Sequence, residues 1–267
     1  VLLACPDEET YLAAKKVIKR NKIENYFSRI VDSGEGKPKA LNMLIEKAKG
    51  EILIFTDGDT YVGKQSVFNM VEYLDNNTEY CLVSGRPKAA DSKNKFFGYV
   101  GNLLADGAHY KRSRENNFPV SGYLFAAKKK DFLRVPEDCL VDDAYISLTY
   151  LKHGCKIGYQ PNSMVHVHYP LNLKDFYLQK KRSVGGFVQL QEYPEIFDIL
   201  KNNNHRSFLS ELKFAWFPMT YFDTFNEFFY SIFLYFVRFY LWLLIFLERK
   251  VLRIDFKSTW VRVDSTK

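Results

Sequence analysis

Two carboxylates separated by a single glycine, Asp57-Gly58-Asp59, follow directly on the apolar run Glu51 to Thr56. Hard divalent cations such as Mg2+ and Mn2+ take carboxylate oxygens and share the rest of their shell with substrate phosphates. A glycine between the carboxylates permits a sharp turn and a close ligand approach, although the same three residues also suit a plain turn. A second acidic pair, Asp142-Asp143, opens a helical stretch. Such a pair either caps the helix, favoured by its dipole, or holds one carboxyl whose pKa is raised far enough to take a proton. Gln179 and Arg182 lie one helical turn apart and share a face. There the guanidinium can grip a diphosphate through paired N–H groups, or the run Lys180-Lys181-Arg182 can face anionic lipid. Lys37, at a helix start, can attract an anion or stay solvated. Asp7, after the first apolar run, can meet a ligand or cap the next helix. His166 and His168 alternate on one strand and face the same way. His168 is a further candidate metal ligand, with a purely structural histidine as the alternative.

The elements that must position these residues alternate between strand and helix. Val1 to Ala4 reads as a strand, Thr10 to Arg20 as a helix and Ser28 to Val31 as a short strand. Pro38 sits where a helix begins, a position that tolerates its missing N–H. Ala40, Leu41, Leu44, Ile45 and Ala48 continue that helix at helical spacing. Glu51 to Thr56, bounded by Gly50 and Asp57, has the composition of a strand buried on both faces. A helix over Lys64 to Asn76 and a strand over Cys81 to Ser84 follow. The stretch Lys95 to Leu140 is mixed and basic. A helix over Asp142 to His153, strand-like pieces at Lys156 to Tyr159 and Met164 to His168, and a helix over Leu173 to Gln191 complete the series. This rhythm predicts an α/β fold of Rossmann type, a mostly parallel sheet with helices on both faces. In such sheets ligands bind beyond the carboxyl ends of strands, which is where Asp57 and Asp59 fall.

The 267 residues are 47% hydrophobic and 26% charged, within the range of a globular chain. A net charge of +7 suits anionic lipid or phosphorylated ligands. Nucleic-acid binding is not expected, since neither zinc-finger spacing nor an aromatic RNA-binding motif occurs. Cys5, Cys81, Cys139 and Cys155 form no Cys-x-x-Cys pair and are expected as reduced thiols, which favours a cytosolic-side domain. Aromatic residues become dense near Leu212, giving an expected division into a catalytic domain over 1–210 and a membrane-associated segment over 211–267. Phe228 to Leu247 is long enough to cross a bilayer, which takes roughly 20 residues, although Arg238 interrupts it. The basic run Glu248 to Arg253 prefers the cytoplasm, the side also favoured for the preceding domain. One span cannot place both there, so spanning and lying in the interface remain open, with a buried core helix as the further alternative.

The ordered run Gly36-Lys37-Pro38-Lys39-Ala40-Leu41-Asn42 and Ala48-Lys49-Gly50-Glu51, a strand, then Asp57-Gly58-Asp59-Thr60, resembles the donor-binding block of family-2 glycosyltransferases. The resemblance implies a GT-A fold, a nucleotide-diphosphate sugar such as a UDP- or GDP-sugar, and Mg2+ or Mn2+. Asp57 would lie near the nucleotide and Asp59 would hold the metal. Lys37 would meet the diphosphate, and Asp7 the base or ribose. Asp142-Asp143 resembles the family's Glu-Asp acceptor motif, with Asp143 as the base of an inverting transfer. Ser121-Gly122 resembles a segment near donor and acceptor. Gln179-Lys180-Lys181-Arg182-Ser183 resembles the Gln-x-x-Arg-Trp motif of membrane-bound polysaccharide synthases. Ser183 stands in the Trp place, which puts long-chain processivity in doubt. The family's first strand and helix are expected to precede residue 1. The implied activity is metal-dependent sugar transfer to a hydroxyl on a glycan, polysaccharide or glycolipid, at the cell membrane with the catalytic domain on the cytoplasmic side. A polyprenyl-phosphate sugar synthase and an inactive membrane-peripheral scaffold are the alternatives.

Overall fold

The computed structural model describes residues 1–5, 7–132, 134–202 and 214–254. Strand β1 (Leu2–Cys5) pairs in parallel with β2 (Ser28–Val31) as a separate two-stranded sheet. Helix α1 (Glu8–Asn21) crosses between them, with Glu8 and Glu9 in its first turn and Lys19 and Arg20 in its last, matching the helix dipole at both ends. Helix α2 (Lys37–Lys47) starts after Gly36, whose φ of 114° favours glycine, and carries Pro38 in its first turn.

The larger sheet is built from β3 (Ile52–Thr56), β4 (Tyr61–Val62), β5 (Tyr80–Ala89), β6 (Leu124–Lys128) and β7 (Lys156–Val167), in the order β3-β6-β5-β7-β4. The α/β architecture with helices on both faces is as expected, but the balance of strand directions is not. Only β5 and β7 run parallel in this sheet, while β3–β6, β5–β6 and β4–β7 are antiparallel. The cause is β6. It arrives from a loop after α4 (Phe96–Arg112), within the stretch left unassigned by sequence, and inserts between β3 and β5 in the opposite direction. Strand β3 consequently lies at the sheet's edge, and of its residues only Leu53 is buried, not both faces throughout. The two strand pieces expected around residues 156 to 168 are one strand, β7.

Successive residues of β6 point to opposite faces. Leu124 and Ala126 join Met70 and Leu74 of α3 (Ser66–Asn76), while Phe125 and Ala127 join Leu41 of α2 with Ile146 and Leu148 of α5 (Asp142–Lys152). Asn42 is buried and clamps α2, donating from Nδ2 to the Val135 carbonyl (2.8 Å) and accepting at Oδ1 from the Val135 N–H (3.0 Å). Cys81 and Cys155 form a disulfide with Cα atoms 5.6 Å apart, whereas Cys5 and Cys139 are free and buried. The expectation of four reduced thiols is therefore wrong. Residue spacing could not show that the pairing of β5 with β7 brings these two together.

A third core joins α4, α6 (Leu173–Gln189) and α8 (Phe225–Phe246), which follows the short α7 (Phe197–Asn202). Tyr99, Val100 and Leu103 of α4 and Phe176 of α6 meet Leu234, Val237 and Leu241 of α8. Thr224 accepts from the Glu227 N–H (3.3 Å), and the Glu227 carboxylate accepts from the Asp223 N–H (2.9 Å). This reciprocal cap sets the start of α8 at Phe225, three residues before the expected Phe228. The expected boundary between residues 210 and 211 lies outside the described residues, as does Leu212. Beyond it, α8 shares its core with α4 and α6.

Candidate active site

Strand β3 ends at Thr56 and delivers Asp57 and Asp59 in the turn that follows. Side-chain hydroxyls fasten that turn. Thr60 Oγ1 donates to the Asp57 carbonyl (2.9 Å), and Thr56 Oγ1 lies 2.8 Å from Thr60 Oγ1 and donates to the Tyr123 carbonyl (3.0 Å). Gly58 serves the turn less directly than its type suggests. A Cβ placed there would meet nothing within 4 Å, and its φ is not in the left-handed region. The space beside it is open, so a ligand can approach the backbone closely there.

Lys37, in the first turn of α2, links the two acidic pairs. Its Nζ lies 2.9 Å from Asp57 Oδ1 and 3.2 Å from Asp142 Oδ2. Burial works to lower the Lys37 pKa, but Asp142, Asp57 and Asp143 outweigh it and hold the ammonium above the ordinary lysine value. Burial raises the Asp57 pKa, and Lys37 pulls the other way. The lysine expected to attract an anion is thus also the cation that lets three carboxylates share one site.

Asp142 and Asp143 occupy the first turn of α5. Asp143 Oδ2 accepts from the Gly122 N–H (3.0 Å) and Oδ1 from the Ala144 N–H (2.9 Å). Each oxygen keeps a further lone pair, so the carboxylate is oriented without being saturated. Gly122 is close-packed on it: a Cβ there would lie 3.3 Å from Asp143 Oδ2. Ser121, buried beside it, donates its N–H to Ser84 Oγ (3.0 Å). Sequence reasoning missed Tyr123. Burial pushes its phenol up to about 12, with Asp57, Asp59 and Asp143 reinforcing that shift and Arg182 opposing it. One side chain therefore senses the Asp-Gly-Asp turn, the Asp143 cluster and α6 together. Its place directly after the Ser121-Gly122 pair was the available signal.

Helix α6 brings half-buried Gln179 and Arg182 to this end of the molecule, and its last turn holds the start of α5. Gln189 accepts from the Leu140 N–H (2.9 Å) and donates to the Asp138 carbonyl (2.8 Å). Gly186 permits the approach, because a Cβ there would come within 2.4 Å of Val141 Cγ1. Gly186→Ala is expected to drive α6 away from α5 and cost about 1–3 kcal/mol by overpacking. Thermal unfolding of Gly186→Ala, Val141→Ala and the double variant tests this. Strictly additive losses would show that the two residues do not compete for space.

Two further candidates have partners of their own. Asp7 caps α1, accepting from the Thr10 N–H (2.6 Å) and the Thr10 hydroxyl (2.9 Å). His168 Nδ1 faces Asp91 Oδ1 at 3.1 Å, so a carboxylate on the loop after β5 holds its ring, while His166 is exposed. Among the described residues no three His, Cys, Asp or Glu side chains gather as a metal cage. A trio of Asp57, Asp59 and His168 is therefore not assembled. Two carboxylates in a turn do fit a hard cation that draws its other ligands from a diphosphate and water.

Residues 7–133 match the family described as glycosyl transferase family 2. No curated protein sequence matches the chain. Among solved structures, the fold is similar to the mannosyltransferase PcManGT from Pyrobaculum calidifontis, solved in complex with GDP-Man and Mn2+. The identity is 16%, the alignment covers 81% of this chain and 62% of that one, and the TM-score is 0.55. This chain thus spans less than two thirds of that protein's length. S. aureus TarS 1–349 aligns at 15% identity over 85% of this chain and 66% of its own, with a TM-score of 0.48. GalNAc-T7, solved with UDP, GalNAc and Mn2+, aligns at 15% over 82% and 49%, with a TM-score of 0.47. Asp142, Asp143, Gln179 and Arg182 lie beyond the matched residues. The match nonetheless runs through α2, β3 and the Asp57–Asp59 turn, and the remaining elements close a GT-A fold around them: residues 7–133, just under half of the chain, are similar to glycosyl transferase family 2.

Proposed function

We propose that the chain transfers a sugar, with inversion, from a nucleotide-diphosphate donor to a hydroxyl acceptor at a membrane surface. The observation that carries this reading is the bridge from Lys37 to both Asp57 and Asp142. It ties one candidate donor carboxylate, Asp57, to Asp142, the chain neighbour of the candidate base Asp143. Asp59, with Asp57, would hold Mg2+ or Mn2+, which when bound neutralises charge on the departing diphosphate. Arg182 and Gln179 grip the donor from α6. Asp143, aimed by the N–H groups of Gly122 and Ala144, takes the proton of the acceptor hydroxyl. The acceptor oxygen forms its bond to the anomeric carbon as the bond to the diphosphate breaks, and that electron pair leaves with the nucleotide. Catalysis on the cytoplasmic side rests on the supply of nucleotide sugars there. The cysteines no longer support it, because disulfides persist mainly in oxidising compartments.

Donor binding is expected to require a divalent ion, since Asp57 and Asp59 alone would repel a diphosphate. GDP-mannose and UDP-glucose are titrated calorimetrically with Mn2+ and again with EDTA. A donor at 100 times its dissociation constant also raises stability by about 2.7 kcal/mol, which thermal unfolding reads. Equal affinity in both buffers removes the metal assignment, and no binding of any nucleotide sugar removes the transferase reading.

A further inference from the structure

A cleft of about 330 Å³ lies on the β5–β7 side of the fold, walled by Tyr73, Tyr80, Arg112, Glu115, Phe118 and Tyr159. A smaller cavity of about 40 Å³ is lined by Asp143, Val141, Ala144 and Phe187. Arg112 and Phe118 line both. The two cavities therefore share a wall and the smaller one reaches the carboxylate assigned as base, while none of the donor or metal candidates lines the larger.

The cleft is held in shape before anything enters it. Asn117 sits in the left-handed region at φ 57°, and its Oδ1 accepts from the Ile157 N–H (3.0 Å), pinning the loop after α4 to β7. Arg112 Nε and Nη2 both donate to the Pro119 carbonyl (3.4 Å), and the guanidinium faces the Phe118 ring at 5.3 Å. Tyr159 and His109 share a hydrogen bond (2.8 Å). Tyr73 and Tyr80 meet edge to face at 5.4 Å. The loop closes on itself and on the sheet, so little ordering remains to be done on binding.

Its chemistry selects a class of ligand. Aromatic faces offer flat apolar surface, while the tyrosine hydroxyls, Ser113, Asn116, Arg112 and Glu115 supply donors and acceptors around it. One arginine and one glutamate balance, so the site is not tuned for a phosphate or nucleotide. So many polar groups do not suit a lipid tail. A sugar ring has the matching surface, with C–H faces above and below and a rim of hydroxyls that both donate and accept. We propose that this cleft is the acceptor site, holding a neutral oligosaccharide whose reactive end reaches Asp143. The proposal rests on the transferase reading and assigns it a carbohydrate acceptor.

The test uses the full chain and a set of neutral tetrasaccharides, built from glucose, mannose, galactose or N-acetylglucosamine, titrated with Mn2+ present. At least one is expected to bind, and Tyr80→Ala and Glu115→Ala each weaken it about tenfold. Binding of GDP-mannose and UDP-glucose stays as in the parent chain. Because Tyr80 also packs on Tyr73, Glu115→Ala decides the matter where Tyr80→Ala lowers stability. No tetrasaccharide bound, or one bound equally by both variants, overturns the cleft assignment while donor binding still stands. Tetrasaccharide binding without any donor binding overturns its role as an acceptor site and, separately, the transferase reading.

Discussion

Asp143→Asn is expected to lower acceptor-dependent release of nucleoside diphosphate by about 10²–10⁴-fold, the usual consequence of losing a general base. Donor affinity should barely move, because Asp59, Lys37 and Arg182 remain. The amide keeps the shape of the carboxylate but offers one acceptor and one donor group. It can satisfy only one of the two N–H groups, from Gly122 and Ala144, that now reach Asp143. A stability loss of about 1 kcal/mol accompanies this, so circular dichroism and thermal unfolding must show that the variant is folded. Asp142→Asn should hurt less, since Lys37 keeps Asp57 as its partner. Asp59→Asn should show the opposite pattern, with donor and metal binding weakened first. Transfer close to the parent rate in Asp143→Asn would remove the base. It would favour an acceptor already ionised, such as a lipid phosphate, whose oxygen needs no proton taken from it.

The proposed donor half of this site is a motif the sequence could carry because it is contiguous. Residues 36–60 form one helix, one strand and one turn, so their order alone carried the motif. Asp142, Asp143, Gln179 and Arg182 were legible as short motifs at helix starts or on one helix face, though not as neighbours. What stayed hidden depends on pairings between distant segments. The insertion of β6 reverses strand directions that alternation with helices had suggested. Tyr123 gains its importance only when β6 lies beside β3. The Cys81–Cys155 bond closes across 74 residues, because Tyr80 and Lys156 fall opposite each other in β5 and β7. His168 was read by its spacing from His166, but its partner Asp91 arrives from a different loop. Local propensity carries no term for any of these.

Replacing both Phe236 and Phe239 by serine is expected to weaken partitioning onto anionic vesicles by about 10²–10⁴-fold, from about 1.5–3 kcal/mol for each ring withdrawn from lipid. Both rings are 67% exposed, in a row with Phe225, Phe229, Phe233, Leu243 and Phe246 along one face of α8. The opposite face is covered by protein. Leu234, Val237 and Leu241 are buried against α4 and α6, and Ser231 meets the Tyr99 hydroxyl at 2.6 Å. A 22-residue apolar helix is long enough to cross a membrane. Covered along one side by α4 and α6, however, α8 is expected to lie in the interface with its aromatic row in lipid. That arrangement would also link a membrane to the candidate site. Lys181 pairs with Glu248 just beyond α8 (2.6 Å), and Lys180 lies over the Trp242 ring at 4.8 Å, both from the helix that carries Gln179 and Arg182. Flotation with phosphatidylserine-containing vesicles reads the partitioning. Leu234→Ala serves as the contrast, since loss of a buried leucine should cost about 2–5 kcal/mol of stability. If the double serine variant floats with vesicles as fully as the parent chain, the exposed row does not face lipid, and α8 is a helix of the protein's own packing with an exposed aromatic side.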